Sequence, residues 1–305
     1  MPYAILFPGQ GSQYVGMGAD VFAAMPHLFG GVDSVLGWSL AELCAAGPED
    51  ELTATDKAQP ALYAVSYALW DAFLAHVDRP PAAAAGHSLG EYTALAAAGA
   101  FDFLTGLALV AARGKAMAAA GAIQPSGMAA LVGADEEAAE ALAAARRHEG
   151  GKLWVANLNA PGQVVVAGGS ADIAWAVEHG GDHGIRRVVP LKVSGAFHSP
   201  LMAPAADELR AALEGVDVSA PAFPVWANAT ARPVTDVAES LANQLVGTVR
   251  FAESLQNMAD AGIDVFVHIG PGEVTAGLAR RTLPDAVVVT VSSLDDVEPA
   301  MEAIG

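Results

Sequence analysis

The chain has 305 residues, and its fifteen Lys and Arg against thirty-four Asp and Glu give a formal net charge of −19. Such a charge repels phosphate backbones and anionic headgroups, so neither nucleic acid nor a membrane surface is an expected partner. Apolar residues make up 53% and charged residues 16%, which excludes a disordered chain and supplies enough apolar surface for one large domain or two modest ones. The one cysteine, Cys44 in Leu43-Cys44-Ala45-Ala46, can form no internal disulfide and reads as a buried thiol in a reducing cytosol. The N-terminal run to Phe7 has no basic flank and stops at Pro8-Gly9, and no later stretch holds eighteen uninterrupted apolar residues. A soluble, cytoplasmic, untargeted protein is expected.

Tyr3 to Phe7 reads as a buried strand feeding the glycine-rich loop Pro8-Gly9-Gln10-Gly11-Ser12, the way α/β sheets begin. Lys57 to His76 suits a helix entered through Gln59-Pro60, with the proline near its first turn. Ala82 to Ala85 are poor strand formers, and their assignment as a strand rests on the Gly86-His87-Ser88-Leu89-Gly90 motif that follows. Phe103 to Ala120 is a second long helix, carrying Arg113 and Lys115. The rhythm then changes to strand Met128–Val132, helix Glu136–Arg147, strands Leu153–Leu158 and Gln163–Ala167, helix Ile173–His179 and strand Arg187–Val193. That βαββαβ order is ferredoxin-like and compact enough for an inserted small subdomain over 124–192. The larger α/β body spans 1–123 and 193–305, with helices at Pro204–Leu213 and Phe251–Ala261 and strands at Val265–Ile269 and Val287–Val291. Six basic and eight acidic residues give the insert a net −2, whereas nine and twenty-six give the remainder −17. The Arg pairs of the insert are either ordinary solvated residues or a local face for an anion.

Gly86-His87-Ser88-Leu89-Gly90 fits G-x-S-x-G, in which flanking glycines let the chain turn sharply from strand to helix and project the serine hydroxyl. The helix start offers free N–H groups, and Glu91 falls in its first turn. An inert turn serine is the alternative. A serine nucleophile needs a base, and among eight histidines His198 is the best placed, in the irregular stretch Ser194-Gly195-Ala196-Phe197-His198-Ser199-Pro200. His87 adjoins Ser88, but consecutive side chains on a tight turn diverge, so it reads as a spacer. His179 and His183 have metal-ligand spacing, yet Gly180-Gly181 separates them and no Cys or carboxylate constellation accompanies them, so no metal site is expected. Gly9-x-Gly11 is followed by Tyr14 where a third glycine would complete a dinucleotide fingerprint. A loop after the first strand would instead lie near Ser88, where its N–H groups can serve an oxyanion.

Together, Phe7-Pro8-Gly9-Gln10-Gly11-Ser12-Gln13, Gly86-His87-Ser88-Leu89-Gly90-Glu91, Arg113-Gly114-Lys115, Asn159-Ala160-Pro161-Gly162-Gln163-Val164-Val165, Gly195-Ala196-Phe197-His198-Ser199 and Ile269-Gly270-Pro271-Gly272 cover nearly the whole chain. In content and order they resemble malonyl-CoA:acyl-carrier-protein transacylases, including discrete acyltransferases that serve polyketide synthases in trans. The resemblance implies an α/β-hydrolase-like large subdomain, a ferredoxin-like small one and a site in the cleft between them. It implies that Ser88 is acylated, that His198 is its base, that a main-chain carbonyl at Gln244-Leu245 orients the imidazole, and that the N–H groups of Gln10 and Leu89 form the oxyanion hole. It also implies that Arg113 grips the malonyl carboxylate, with Met117 and Phe197 in the acyl pocket and Phe197 crowding an α-methyl branch. On spacing alone, Arg113 reads as an exposed helix arginine.

The implied partners are an acyl-CoA and the phosphopantetheine thiol of an acyl carrier protein, with no cofactor of the chain's own. Carrier proteins are usually acidic, so Arg146/Arg147, Arg186/Arg187 or Arg280/Arg281 are candidate docking pairs. Ala118, where many relatives place Gln, and Gly195, where modular synthase domains often show His or Tyr, are expected to widen the acyl pocket. Transfer of another acyl group between carriers, or hydrolysis of a misloaded one, is the alternative on the same site. A non-catalytic docking scaffold and a lipase-like esterase are further alternatives, the latter lacking an identifiable carboxylate for the histidine.

Overall fold

The computed structural model describes residues 1–305. Strands β1 (Tyr3–Phe7) and β2 (Ala83–Gly86) are followed by β3 (Ser126–Val132), β4 (Leu153–Ala160), β5 (Gln163–Gly169) and β6 (Arg187–Pro190), then by β7 (Val225–Trp226), β8 (Val265–Ile269) and β9 (Val287–Val291). Four short helices, α1 (Ala19–Ala24), α2 (Val32–Leu36), α3 (Leu40–Ala46) and α4 (Glu49–Thr53), precede α5 (Thr55–Leu74), α6 (Gly90–Ala97) and α7 (Phe103–Ile123). The insert carries α8 (Glu136–His148) and α9 (Ser170–His179), and the remainder carries α10 (Ala203–Leu213), α11 (Val237–Gln244), α12 (Phe251–Asp260), α13 (Val274–Thr282) and α14 (Val297–Ile304).

β1 is apolar at every position because it is central in a parallel sheet ordered β7-β2-β1-β8-β9, covered on both faces. All pairs in that sheet are parallel, and Phe7 lies opposite Gly86. The carboxyl ends of β1 and β2 are therefore side by side, which brings the Pro8-Gly9-Gln10 loop against the turn holding Ser88. β1 pairs with β2 on one side and β8 on the other, so this is also where the sheet's connectivity switches direction, the usual mouth for a ligand. The alanines of β2 are accounted for by crowding. A Cβ at Gly86 would stand 1.8 Å from the Gly90 carbonyl carbon, and one at Gly90 would stand 2.3 Å from the Phe7 oxygen. Small residues let α6 pass directly over the two strands.

The insert folds as expected into an antiparallel sheet ordered β4-β5-β3-β6, with α8 and α9 packed on it. β6 ends at Pro190 rather than at Val193. It is an edge strand paired with β3 alone, and Pro190 has no N–H to extend that pairing. α5 begins at Thr55, so Pro60 lies inside it rather than at its entrance. A parallel stitch joins the two bodies: the Leu158 N–H donates to Val249 O and the Val249 N–H to Ala156 O, each at 2.8 Å, while the Thr248 hydroxyl donates to Val155 O.

α7 is long and apolar enough to cross a membrane by length and composition, but 61% of its most apolar window is buried, against α5 and α10. Asp102 caps it by accepting from the Thr105 N–H at 2.7 Å. The helix carries Arg113 on its buried face, only 1% exposed.

The crowding at the turn after β2 is testable by urea unfolding. Gly86→Ala is expected to lose about 3 kcal/mol or more, because only backbone can yield. Gly127→Ala in β3, whose Cβ would meet nothing within 4 Å, is expected to stay within about 0.5 kcal/mol of the parent. Equal losses would contradict the packing argument.

Candidate active site

Ser88 sits between β2 and α6 with φ at +50°, in the left-handed region that side chains other than glycine rarely adopt. Asn228, two residues past β7, holds the turn there. Its Oδ1 accepts from the Ser88 N–H and its Nδ2 donates to Gly86 O, both at 2.6 Å. His198 is left-handed too, with φ at +57°. The structure brings Ser88 and His198 together across 110 positions of sequence, Oγ to Nε2 at 2.7 Å.

The far side of the imidazole sets its tautomer. Nδ1 lies 2.9 Å from the Gln244 carbonyl, which can only accept, so Nδ1 carries the proton and Nε2 is left to accept from the Ser88 hydroxyl. Burial, assisted by the nearby Arg113 charge, lowers His198 from its ordinary 6.5 to about 3, against the opposing effect of its bond to Gln244. The ring is thus neutral and basic at Nε2, and such a pair can take up the serine proton.

Arg113 is a buried cation beside Ser88, not the exposed helix residue that spacing alone allowed. Nη1 donates to Gln59 Oε1 at 2.5 Å, and Nη2 donates to Gln244 Oε1 at 3.0 Å and to Ser88 Oγ at 3.1 Å. Its Cζ lies 5.4 Å from the centre of the Tyr92 ring, while Nε has no acceptor and no carboxylate pairs with the guanidinium. Glu91 is fully buried close by. Burial raises its carboxyl pKa, opposed by donors from Asn228, Gln244 and Ser240 and by the Arg113 charge.

Gln10 and Leu89 line the same cavity as Ser88, and neither N–H has a main-chain acceptor. The loop is pressed onto the serine turn, since a Cβ at Gly9 would stand 2.4 Å from His87 O, and the Gln10 amide reaches back to Thr55 Oγ1 at 3.3 Å. His87 turns away from the serine. Its Nε2 donates to Asn159 Oδ1 of β4 at 2.7 Å, and burial lowers its pKa. His179 closes α9 stacked on Trp175, with Nδ1 bonded to Trp175 O, and the chain has no cluster of three metal-ligating side chains.

The cavity, about 320 Å³, opens between the two bodies. Met117, Phe197 and Arg113 line it from the large side, and Met128, Asn157, Asn159 and Gln163 from the small sheet. Gln59 donates to Met117 Sδ at 3.3 Å. Ala118 and Gly195 do not face the cavity, which corrects the expectation that they widen it. A Cβ at Gly195 would meet Gly121 Cα at 3.1 Å and the Phe197 ring at 3.2 Å, so this glycine makes room for close backbone packing and for that ring.

The candidate arginine pairs separate into two kinds. Arg146 is tied to Asp172 and Glu149, Arg147 to Glu140 and Leu153 O, and Arg280 to Glu273. Arg186, Arg187 and Arg281 are exposed and have no ion pair. They surround one spot. A Cβ at Gly133 would lie 3.7 Å from Arg186 Cβ, Arg187 pairs across the sheet with Val132, and a Cβ at Gly162 would lie 3.3 Å from Arg281 Nη2 and 3.7 Å from Gly133 Cα. Arg281 shares a helix face with Val274 and Leu278, which line the cleft.

An α/β body with a serine turn, a histidine against its hydroxyl and a guanidinium alongside defines a protein built to handle acyl groups. Residues 5–300 match the acyl transferase domain family, and the chain belongs to it. It is 39% identical over 307 residues to the malonyl CoA-acyl carrier protein transacylase of Bacillus subtilis (strain 168), covering 99% of this chain and 96% of that protein. It is 41% identical over 284 residues to the polyketide biosynthesis protein ThaF of Burkholderia thailandensis, covering 92% of this chain and 24% of ThaF. Among solved structures it matches, with a TM-score of 0.94 and 36% identity, a malonyl-transacylase in complex with a type II PKS acyl-carrier protein, over 99% of this chain and 100% of that one.

An imidazole accepts a proton at Nε2 only while neutral, so if His198 takes the Ser88 proton, its lowered pKa moves the loss of serine reactivity to lower pH. Modification of Ser88 by a fluorophosphonate is expected to proceed at a constant rate from about pH 7.5 to about pH 5.5. An inflection near the ordinary histidine value of 6.5 would contradict a base depressed to about 3.

Proposed function

We propose that this chain moves a malonyl group from CoA to the phosphopantetheine thiol of an acyl carrier protein, by way of an ester on Ser88. The observation that carries this is the hydrogen-bonded series Gln244 O, His198, Ser88 Oγ, with the unpaired guanidinium of Arg113 against the same oxygen. Relatives named for this reaction, one in complex with a carrier, support it.

Nε2 of His198 takes the Ser88 proton as Oγ attacks the thioester carbonyl. The oxyanion is met by the N–H groups of Gln10 and Leu89, each such donor contributing about 3 kcal/mol of barrier reduction. Collapse breaks the C–S bond, the imidazolium returns its proton to the CoA sulfur, and the malonyl ester remains. The carrier thiol then repeats the sequence in reverse, losing its proton to Nε2 as Ser88 leaves. The reactions use only this chain's side chains and backbone, with CoA thioester and carrier thiol as co-substrates. A guanidinium offers the free carboxylate a planar pair of donors, and in a sheltered site that pairing is strong. Arg113 now rests on Ser88 and Gln244, so an arriving carboxylate would compete for donors already in place.

The full chain, exposed to malonyl-CoA and weighed intact, is expected to gain one malonyl group and to lose it when holo carrier protein is added; no gain of mass would overturn the proposal. Arg113→Ala is expected to slow malonyl loading on the order of a hundredfold, the value of a lost charged pair of about 3 kcal/mol, while acetyl loading falls far less. Equal losses for both donors would refute carboxylate recognition by Arg113.

For the carrier, the unpaired arginines are the suitable face on a chain of net charge −19. Charge reversal of Arg186, Arg187 and Arg281 together is expected to raise the KM for carrier at least about tenfold with loading from malonyl-CoA unchanged. Reversal of the already paired Arg146 and Arg147 is expected to show no such carrier-specific effect, and the opposite ranking would place docking elsewhere.

A further inference from the structure

Ser88 and His198, both in left-handed backbone, are steadied by Asn228 and by Gln244, and both supports converge on one carboxylate. Glu91 Oε2 accepts from the Asn228 N–H at 2.9 Å and from Gln244 Nε2 at 2.7 Å, while Oε1 accepts from the Ser240 hydroxyl at 2.9 Å. The Gln244 amide lies between the Arg113 guanidinium and the Glu91 carboxyl. Its oxygen accepts from Arg113, and its nitrogen donates to Glu91 and, at 2.8 Å, to Ser88 O. That arrangement fixes which end of the amide faces which neighbour, and the same residue's main-chain carbonyl aims the imidazole.

The geometry points to Glu91 as a positioning residue for acyl transfer, acting through Gln244 on His198 and through Asn228 on Ser88. It bonds neither the hydroxyl nor the ring. What the site requires of it is three lone pairs in the right place. Glutamine in that position supplies them: its oxygen can take both donors now on Oε2, and its amine can donate to Ser240, whose hydroxyl then accepts. Aspartate keeps the charge but stops one methylene, about 1.5 Å, short of Gln244, and a misplacement of about 1 Å can cost on the order of a hundredfold in rate.

The kinetic half of the test rests on the proposed malonyl transfer; the spectroscopic half does not. Glu91→Gln, Glu91→Asp and Glu91→Met, which fills the volume without an acceptor, are compared as full chains. Quenched-flow loading from malonyl-CoA and acetyl-CoA is followed by intact mass. Imidazole ¹⁵N spectra are recorded with His198→Ala to assign the signals. Glu91→Gln is expected within about threefold of the parent kcat. Glu91→Asp, or Glu91→Met should Asp not fold, is expected to lose at least about tenfold in kcat with both donors, at a KM within about twofold. In that variant the Nδ1-protonated signature of His198 should move toward the average of two tautomers. Parental kcat and an unchanged His198 spectrum in the loss variants would overturn the inference, as would a Gln variant slower than the Asp variant. A parent chain that takes no malonyl defeats the proposed reaction, and the spectra still decide the role of Glu91.

Discussion

The hydrogen bond of 2.7 Å between Ser88 Oγ and His198 Nε2 is the contact around which the rest is arranged. It requires two non-glycine residues in left-handed backbone, each at a cost of about 1 kcal/mol or more. Neither residue lies inside a helix or strand that would impose its conformation. The cost is offset by tertiary hydrogen bonds: the Asn228 clamp on either side of the serine turn, the Gln244 carbonyl against the ring, and the Ser199 hydroxyl donating to Ala196 O beneath the histidine loop. A glycine at either position would relax the backbone and remove the functional group, so the strain is inseparable from the site.

Around that bond the polar groups are buried and nearly all paired, with Arg113 as the marked exception. A cation 1% exposed, with no carboxylate partner and one unpartnered nitrogen, is an uncommon arrangement, because an unpaired buried charge is costly to desolvate. Amide oxygens from Gln59 and Gln244 and the Tyr92 ring supply partial compensation. Arg113 is thus a buried cation in a chain whose overall charge is strongly negative, with the buried Glu91 on the other side of the Gln244 amide. The Arg113 charge adds to the effect of burial in lowering the pKa of His198.

Local signals made much of this legible. Gly86-His87-Ser88-Leu89-Gly90 announces its turn because the steric demand is met within five residues, and the βαββαβ insert announces itself because each of its elements is regular. His198 stands out as the histidine in an irregular stretch, whereas the parts of Arg113 and the Gln244 carbonyl come from resemblance in order and spacing, and the structure brings the three together. Asn228, Gln59 and the full part played by Glu91 were not legible. Their meaning depends on side chains more than a hundred positions away for Asn228 and Glu91, and on an arginine two helices distant for Gln59. The two-residue β7 and the helices of five to seven residues between Ala19 and Thr53 lack a full period of pattern to detect. Ala118 and Gly195 show the converse error: they are neighbours in sequence of Met117 and Phe197 but are not among the residues that line the same space.

The stitch of Thr248 and Val249 onto β4 lies only a few residues beyond Gln244, whose carbonyl aims the imidazole. The antiparallel sheet and the His198 ring are thus fastened to one short length of polypeptide. A displacement of that sheet would pull on the segment that holds the histidine's alignment, so the lobe that walls the cleft is mechanically coupled to the ring beside Ser88.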